Sequence, residues 1–441
     1  MKISSQQKKI IAVSRTIMQK YKFCTGSLNF FIFWEDSPGT EYLKFKALGS
    51  KYFFNFIIVF LKSFFSIGLH SRYETSELKI RKKDYKKIIV SWAFEEDFKK
   101  NGTYYDRYFK INSRSDNKIL WFLIYMSEKK PDKMDKNIII LFEKKSFIRF
   151  NLFKLLSYSF KLLFSSKNLP LKISSYASFA EIAANNFLNN IEISKLKTLL
   201  MPYEGQPFQK EIIDIVRKKN NGIKIIGYDH TAPPPLPLNL NYDFLSPDIL
   251  LINGSNQLKF YSKHLKWPKK KLKFVPSIRF QNEDKKKFEK KIFLPYQIVD
   301  KKLILNEFNS LIKKNQTEYL GNFNIKNHPH SENSNIHHEL TLELKNLIKK
   351  NYKKKSKKIS KPSAFFIGQT TAVILALEMG LVSYHICFNP ITDSYTNTLW
   401  KNIKVTQLSD YTFKYELSKR NAFVNLKKEK NLFKKYYDSK I

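Results

Sequence analysis

Short apolar runs alternate along this chain with segments in which apolar residues recur at helical spacing. The clearest case spans residues 364–388. There an apolar run ends at Gly368-Gln369-Thr370-Thr371, and an apolar-periodic segment follows and closes at Gly380 before a third apolar run. This order predicts a strand, a loop, a helix and a second strand, which is typical of a parallel sheet with crossover helices. Ligands bind such sheets at the carboxyl ends of the strands, so the polar residues there are candidates for a site.

The same alternation continues through most of the chain and predicts an α/β fold. Further strands are predicted over residues 87–92, 119–126, 137–142, 223–230 and 248–254. A helix is predicted over residues 209–219, because Asn220-Asn221-Gly222 is a strong helix stop. The charged, apolar-poor segment 282–291 predicts a linker, and hence an N-terminal domain of residues 1–281 and a C-terminal domain of residues 282–441.

Residues 52–69 form the most apolar stretch, interrupted by Asn55 and Lys62. A single transmembrane helix needs ~20 mostly uncharged residues, so this stretch predicts instead a buried helix or a helix lying in a membrane interface. A second aromatic and basic segment, residues 146–164, also predicts a helix.

The net charge narrows the classes of partner. Lys and Arg number 79 against 38 for Asp and Glu, which gives a formal net charge of +41. Such an excess favours contact with nucleic acid, nucleotide phosphates or an anionic membrane surface. The two cysteines, Cys24 and Cys387, predict no disulfide framework, and the N-terminal residues lack the apolar core of a signal peptide. We therefore expect a cytoplasmic protein.

Two strand ends in the C-terminal half offer groups for a phosphate. His328-Pro329 follows one predicted strand, and the loop of Gly368, Gln369, Thr370 and Thr371 follows another. An imidazole can donate a hydrogen bond or a proton to a phosphate, hydroxyls and helix amides can bind it, and glycine lets the backbone approach closely. The alternatives are an ordinary polar loop at His328 and plain helix caps at the two threonines.

The N-terminal half offers candidate acids and bases. Glu204 ends one strand of a predicted βαβ unit and His230 ends the next, so these two side chains are expected in one crevice, and Asp229, next to His230, is a further candidate for this cleft. Glu204 suits a general base for an acceptor hydroxyl, although a carboxylate here can also simply cap the following helix. Asp106 is a further candidate, unless it forms an internal ion pair with Arg107.

The sequence lacks the motifs of several other kinds of site. The histidines at positions 328, 330, 337 and 338 have no cysteine or acidic partner at a metal-site spacing, so no metal is predicted. A Walker-type lysine loop, a Gly-x-Gly-x-x-Gly fingerprint and a serine nucleophile elbow are missing from the sequence.

The pairing of His328-Pro329 with Thr370-Thr371 resembles the HP and SS/T motifs of bacterial sialyltransferases, polysialyltransferases and Kdo transferases. The segments Glu204-Gly-Gln-Pro to His230 and Asn253-Gly254 to Arg279 look like surface-carbohydrate biosynthesis proteins. The resemblance covers roughly residues 87–400 and implies the GT-B fold, in which two Rossmann-like domains face each other across a cleft. There, the residues matching the HP and SS/T motifs would bind the phosphate of a CMP-activated sugar, and Glu204 would be the acceptor base. The chain departs from the pattern at Leu375, where many such enzymes have a glutamate, and at Tyr203, where a second acid often stands.

The expectation is a metal-independent glycosyltransferase without a cofactor that acts in surface polysaccharide or lipopolysaccharide assembly. Its donor would be a nucleotide sugar, with a CMP-linked nonulosonate or Kdo the leading guess, and its acceptor a glycan or a lipid-linked glycan. An anionic membrane surface is the expected docking partner, and no specific nucleic acid is expected. The rival functions are a sugar-nucleotide epimerase of GT-B fold and a non-enzymatic basic protein that binds membrane or nucleic acid.

Overall fold

The computed structural model describes residues 2–20, 37–66, 69–76, 85–116, 118–165, 175–313, 323–328, 331, 334–350 and 361–429. The helices are α1 (Ile3–Lys20), α2 (Pro38–Leu48), α3 (Phe53–Ser66), α4 (Leu152–Ser165), α5 (Ser175–Asn190), α6 (Pro207–Lys219), α7 (Ser255–His264), α8 (Lys301–Lys313), α9 (Asn335–Lys350), α10 (Ala372–Glu378) and α11 (Pro390–Asp393). The strands up to the predicted linker are β1 (Leu69–Thr75), β2 (Lys87–Ala93), β3 (Tyr105–Asp106), β4 (Ile111–Asn112), β5 (Ile119–Tyr125), β6 (Ile138–Phe150), β7 (Thr198–Pro202), β8 (Lys224–Tyr228), β9 (Ile249–Ile252) and β10 (Leu272–Phe274). After it come β11 (Lys291–Phe293), β12 (Asn324–Lys326), β13 (Ser363–Ile367), β14 (Val382–Ile386), β15 (Ile403–Gln407) and β16 (Thr412–Leu417).

Eight strands form the first sheet, in the order β1-β6-β5-β2-β7-β8-β9-β10. Every pair is parallel except β1, which runs antiparallel to β6 at one edge. All seven residues of β5, Ile-Leu-Trp-Phe-Leu-Ile-Tyr, are buried. A continuous apolar run of this kind is what a parallel strand covered on both faces requires.

The unit β7-α6-β8 lies at the middle of this sheet and positions the candidate site. Helix α6 begins with Pro207, whose fixed φ suits the first helical turn, and it ends at Lys219 before Asn220. The side-chain amide of Asn220 donates to the carbonyl of Leu196, 2.8 Å away, and so ties the helix end to the start of β7. Because β7 and β8 are adjacent parallel strands, their carboxyl ends are neighbours.

Six strands form the second sheet, in the order β12-β11-β13-β14-β16-β15. The first four are parallel, while β16 runs antiparallel to β14 and to β15. All five residues of β13 and all five of β14 are buried. The predicted α/β class is confirmed by these two parallel-rich sheets with helices between their strands.

Both ends of the described chain contact the opposite half. The side-chain amide of Gln7 in α1 donates to the carbonyl of Ser394, 2.8 Å away. After β16, the backbone N–H of Asn425 donates to the carbonyl of Asn253, and its carbonyl accepts from the N–H of Ser277, each at 2.8 Å. The strands of the first sheet thus all precede residue 282 and those of the second all follow it, but both sets are joined by these segments. The domain division at residue 282 stays a prediction.

Helix α3 corrects one expectation. It forms within the predicted stretch, but Phe54 is 77% exposed and Ile58 is 63% exposed, so the interpretation of a buried core helix is wrong. Among the described residues, no helix combines the length and the apolar character needed to cross a bilayer.

Candidate active site

Glu204 and His230 meet at the carboxyl ends of the neighbouring strands β7 and β8, as their placement in the sequence predicts. The Nε2 atom of His230 lies 3.2 Å from Oε1 of Glu204. His230 is buried, whereas the side chain of Glu204 is 17% exposed. The imidazole therefore holds one carboxylate oxygen while part of the Glu204 side chain stays exposed to solvent.

The loop after β7 is built to hold the Glu204 carboxylate. Gln206 donates its side-chain amide to Oε2 of Glu204 at 2.8 Å. Gln209 accepts from the backbone N–H groups of Glu204 and Gln206 at 3.0 and 3.1 Å, and donates to the carbonyl of Pro202 at 2.6 Å. Gly205 has φ +66°, and a Cβ there would lie 2.2 Å from the carbonyl oxygen of Asn239. A side chain at this position would meet the backbone of Asn239, so the loop requires glycine here.

Aromatic rings and one arginine surround the pair. The His230 ring lies 4.5 Å from that of Tyr108 and 5.9 Å from that of Trp92, measured between centroids. The guanidinium of Arg279 lies 5.4 Å from the centroid of the Tyr108 ring. Among the described residues, this half-buried guanidinium has neither an ion-pair partner nor a side-chain hydrogen bond. The site therefore has a positive charge that no carboxylate in the described part of the chain neutralises through direct contact.

The charges of the pair follow from these contacts. Burial alone would raise the pKa of Glu204, but hydrogen bonds from His230 and Gln206 and the charge of Arg279 bring it below its ordinary value. Burial lowers the pKa of His230, with Arg279 adding to that effect, although Glu204 opposes it. The Nδ1 atom of His230 is buried without a hydrogen-bond partner among the described residues, so a proton there would be unsatisfied. At neutral pH the pair is an ionised carboxylate that accepts from a neutral imidazole.

Asp229, beside His230, directs its carboxylate to α7. Its Oδ2 accepts from the side-chain amide of Gln257 at 2.9 Å and from the hydroxyl of Tyr261 at 2.6 Å. Thr231 donates its hydroxyl to Oδ1 at 3.3 Å. Burial, with the nearby charge of Glu204 adding to it, raises the pKa of Asp229 to about 7. These bonds show Asp229 fastening β8 to α7.

Asp106 holds the turn that presents Tyr108. Its Oδ1 accepts from the backbone N–H of Tyr108 at 2.9 Å and of Phe109 at 2.7 Å, and its Oδ2 accepts from the Tyr104 hydroxyl at 2.8 Å. The alternative of an ion pair with Arg107 is wrong, because that guanidinium contacts Asp97 at 2.6 Å. Asp106 therefore acts on the site through the position of Tyr108.

In the second sheet, Gly368 begins the loop between β13 and α10. It has φ +69°, and its carbonyl accepts from Nε2 of the buried His385 at 2.7 Å. A Cβ on Gly368 would lie 2.7 Å from the Phe388 ring, so the loop again needs glycine. Thr370 accepts from the N–H of Ala372 at 3.2 Å, while the side chain of Thr371, at the N-cap position, makes no capping bond.

The two threonines are half-buried and Gln369 is exposed. Helix α10 has only seven residues, so its dipole contributes less than the loop groups themselves.

His328 lies at the same edge of the second sheet as this loop, but not beside it. It follows β12, and its ring lies 5.4 Å from that of Tyr296. Strand β11 separates β12 from β13, which puts the two strand ends roughly 10 Å apart. Pro329 lies outside the described residues. A ligand bound by both His328 and Thr370 would thus span the end of β11.

Glu378, the last residue of α10, is buried and anchors a distant segment of the chain. Its carboxylate accepts from the backbone N–H of Phe423 at 2.6 Å, of Val424 at 3.1 Å and of Asn421. It ties the helix that follows the Gly368 loop to the segment that returns to the first sheet.

Sequence reasoning missed four residues around the pair: Trp92, Tyr108, Gln206 and Arg279. Each lies at a strand end or in the loop that follows. The same position in the sequence identified Glu204 and His230 as candidates. Their convergence depends on the order of the strands, which a single sequence does not reveal. Within the part of the chain that the structure describes, no three His, Cys, Asp or Glu side chains form a group that could hold a metal ion.

The sequence matches no protein-family model, and no curated protein matches it significantly. The case for a function therefore rests on the geometry of the site.

Proposed function

We propose that this protein is a GT-B glycosyltransferase that transfers a sugar from a nucleotide-activated donor to a hydroxyl of a glycan or glycolipid. The observation that carries the proposal is the pair of Glu204 and His230 at the carboxyl edge of the first sheet, with Arg279 beside it, which has no ion-pair partner among the residues that the structure describes. Transfer to a hydroxyl needs a base that is ionised at neutral pH and partly exposed. The pair meets both requirements.

In the proposed reaction, Glu204 takes the proton of the acceptor hydroxyl as its oxygen attacks the anomeric carbon. The bond from that carbon to the donor phosphate breaks, and the nucleotide leaves with the bonding electrons. His230 donates to Oε1 and Gln206 donates to Oε2, so the carboxylate is oriented before the acceptor arrives. Arg279 supplies a positive charge, which favours substrates that carry a carboxylate or phosphate near the reacting carbon.

The second sheet offers the groups that suit the donor phosphate. Thr370, Thr371 and the backbone after Gly368 supply hydroxyls and N–H groups at one strand end, and His328 supplies an imidazole two strands away. An imidazole so placed can bind the phosphate or protonate it as it leaves. That the nucleotide is CMP and the sugar a nonulosonate or Kdo follows only from the resemblance of these motifs to the sialyltransferase and Kdo-transferase families.

Two α/β sheets that each carry such groups at a carboxyl edge are compatible with the GT-B arrangement of two domains around a cleft. The return of the chain from β16 to Asn253 and Ser277 gives the two halves a second connection besides residues 282–291. This supports a single enzyme with a donor half and an acceptor half.

The test is sugar transfer by Glu204→Gln, with Glu192→Gln, a change at an exposed carboxylate, as control. Release of CMP, UDP or GDP from a panel of nucleotide sugars is measured with and without glycolipid acceptors. We expect transfer to fall by about 10²–10⁴-fold in Glu204→Gln, because it loses the general base, and to be unchanged in the control.

Thermal-shift binding of the three free nucleotides to wild type and His328→Ala identifies the donor. If CMP raises the melting temperature of wild type but not of the variant, the result supports a CMP-sugar transferase. If UDP or GDP raises it instead, that nucleotide is the one carried by the donor. Turnover of a nucleotide sugar without an acceptor would favour an epimerase. Failure of every nucleotide to bind would contradict the enzymatic proposal.

A further inference from the structure

Helix α3 exposes a stripe of large apolar side chains. Phe54, Ile58, Leu61 and Phe65 are all exposed, and at 100° per residue they fall within ~60° of arc. The opposite side of the helix faces α2. There Phe56 is buried, with its ring 5.4 Å from that of Tyr42, and Asn55 donates to Glu41 at 2.8 Å. The orientation of the helix is therefore set by α2, and the stripe points away from the fold.

Helix α4 likewise has large apolar side chains that are exposed and others that are buried. Phe153 is 84% exposed, and Leu152 and Leu156, one turn apart, are also exposed. Leu155 is buried. A soluble helix normally turns its apolar face inwards, so two helices with large apolar residues outside need an explanation.

The two helices meet at one corner of the first sheet. Helix α3 ends at Ser66, three residues before Leu69, and α4 begins at Leu152, two residues after Phe150. Leu69 and Phe150 are directly paired across β1 and β6, and the Phe150 side chain is itself exposed. The exposed residues of α3, Phe150 and α4 therefore lie around one corner of the sheet, and together they are called here the α3–α4 surface.

We propose that the α3–α4 surface docks on an anionic lipid bilayer, with both helices lying in the headgroup region. The sequences of the two helices contain no acidic residue, and the exposed Lys51 and Lys62 flank the stripe of α3. With 14 residues, α3 is ~21 Å long, which suits a helix lying along the interface and not one that spans the membrane. Apolar residues on one face with lysines at its border are typical of interfacial helices.

The charge distinguishes a bilayer from a second copy of the chain. The protein carries a net charge of +41, and a symmetric dimer through this surface would bring two lysine-bordered surfaces of like charge together. An anionic bilayer attracts those lysines and buries the apolar stripe at the same time. An anionic lipid surface suits both the apolar stripe and the lysines, whereas a second copy of the chain suits only the apolar stripe.

The corner also lies on the carboxyl side of the sheet. Phe142 of β6 pairs on one side with Tyr125, the last residue of β5, and on the other side with Glu74 of β1. Glu74 lies five residues after Leu69, the residue of β1 at the corner. The corner therefore extends ~17 Å past the strand end, on the side where Glu204 lies. If the proposed glycosyltransferase function is correct, docking would turn the acceptor site towards lipid-linked acceptors. The docking itself does not depend on that function.

Sedimentation of the full chain with lipid vesicles tests the proposal. Vesicles of phosphatidylcholine with roughly 30% phosphatidylglycerol, which gives a negative surface potential, are compared with pure phosphatidylcholine. We expect binding to the former, at least tenfold weaker binding for Phe54→Gln/Ile58→Gln/Phe65→Gln, and weaker binding for Lys51→Glu/Lys62→Glu. The control Phe274→Gln/Val299→Gln/Leu342→Gln removes three exposed apolar residues elsewhere and should bind as wild type does.

Three results would overturn the proposal. The first is no sedimentation of wild type with the anionic vesicles. The second is equal binding by wild type and the α3 triple variant, with circular dichroism showing that both are folded. The third is a lipid-free wild-type dimer, seen by analytical ultracentrifugation, that the triple variant abolishes, since a second copy would then cover the surface. Should the triple variant not fold, the lysine variant decides, because its changes lie at exposed positions: binding unchanged from wild type would overturn the proposal.

Discussion

Replacing Asp229 by asparagine should stabilise the protein above neutral pH. Burial raises the pKa of this carboxyl from an ordinary value of 3.8 to about 7, with the charge of Glu204 adding to the effect. A group whose pKa is higher in the folded state favours folding at low pH, and that contribution is lost as the pH rises from 3.8 through 7. At pH 8 the Asp229 carboxylate is therefore ionised and buried in the folded protein, which costs folding free energy. An uncharged asparagine would not have this cost.

The magnitude follows from the gap between the two pKa values. At 1.36 kcal/mol per pH unit, the gap between 3.8 and about 7 corresponds to ~4 kcal/mol at pH 8. Part of this is offset because the bonds from Gln257 and Tyr261 lose their charge assistance, at ~1 kcal/mol in total. The amide oxygen can still accept both bonds, and the Thr231 hydroxyl can turn to accept from the amide N–H. We expect a net gain of ~2–3 kcal/mol.

Urea unfolding of wild type and Asp229→Asn at pH 5.5 and at pH 8, followed by tryptophan fluorescence, measures this. The gain should be ~2 kcal/mol smaller at pH 5.5 than at pH 8, because at pH 5.5 the carboxyl of folded wild type is largely protonated and the part of the cost that builds up between pH 5.5 and about 7 is absent. Thr231→Val is the control: it removes the weakest contact of the carboxylate and should change stability without a comparable pH dependence. A variant that is destabilised equally at both pH values would refute the reasoning, since Asp229 would then be ionised without penalty.

Three further predictions concern the site and its support. Gly205→Ala should lose ~2 kcal/mol or more and most transfer activity, seen in urea unfolding and in the transfer assay, because its Cβ would lie 2.2 Å from the Asn239 carbonyl oxygen at φ +66°. Glu378→Gln should lose ~2 kcal/mol of unfolding free energy against the matched Glu192→Gln, because both Glu378 oxygens accept from backbone N–H groups and the NH2 of glutamine would have to face one of these donors; equal unfolding midpoints would contradict this role. Arg279→Met should leave the melting temperature nearly unchanged and raise KM for an anionic substrate at least tenfold, whereas an unchanged KM would exclude Arg279 from substrate binding.

The strands and their polar ends were predictable from the sequence. Continuous apolar runs such as Ile119–Tyr125 predicted buried strands, and the Asn220-Asn221-Gly222 turn predicted the end of the helix between β7 and β8. The prediction that Glu204 and His230 share one crevice is confirmed by their 3.2 Å contact. It succeeded because the two residues belong to consecutive strands of one βαβ unit, whose ends must be neighbours.

Contacts between elements far apart in the sequence were not predictable. The inward bonds of Asp229 depend on α7, and the burial of Glu378 depends on the return of residues 421–424, more than forty positions later. Likewise, β11 lies between the strands that end near His328 and Gly368, although it precedes both in the chain. Hydrophobic periodicity reports whether a strand is buried, but not which strand lies beside it.

The sequence by itself determined the α/β class, the position of Glu204 in the loop after a strand and the helical nature of residues 53–66. Only the tertiary structure decided that Arg279 and Tyr108 join that loop, that Asp229 and Asp106 support it from behind, and that α3 keeps its apolar stripe outside. The physical reason is the same in each case. Local pattern sets backbone conformation within a few residues, whereas the side of a helix that is covered and the charges that meet depend on which distant segments pack together.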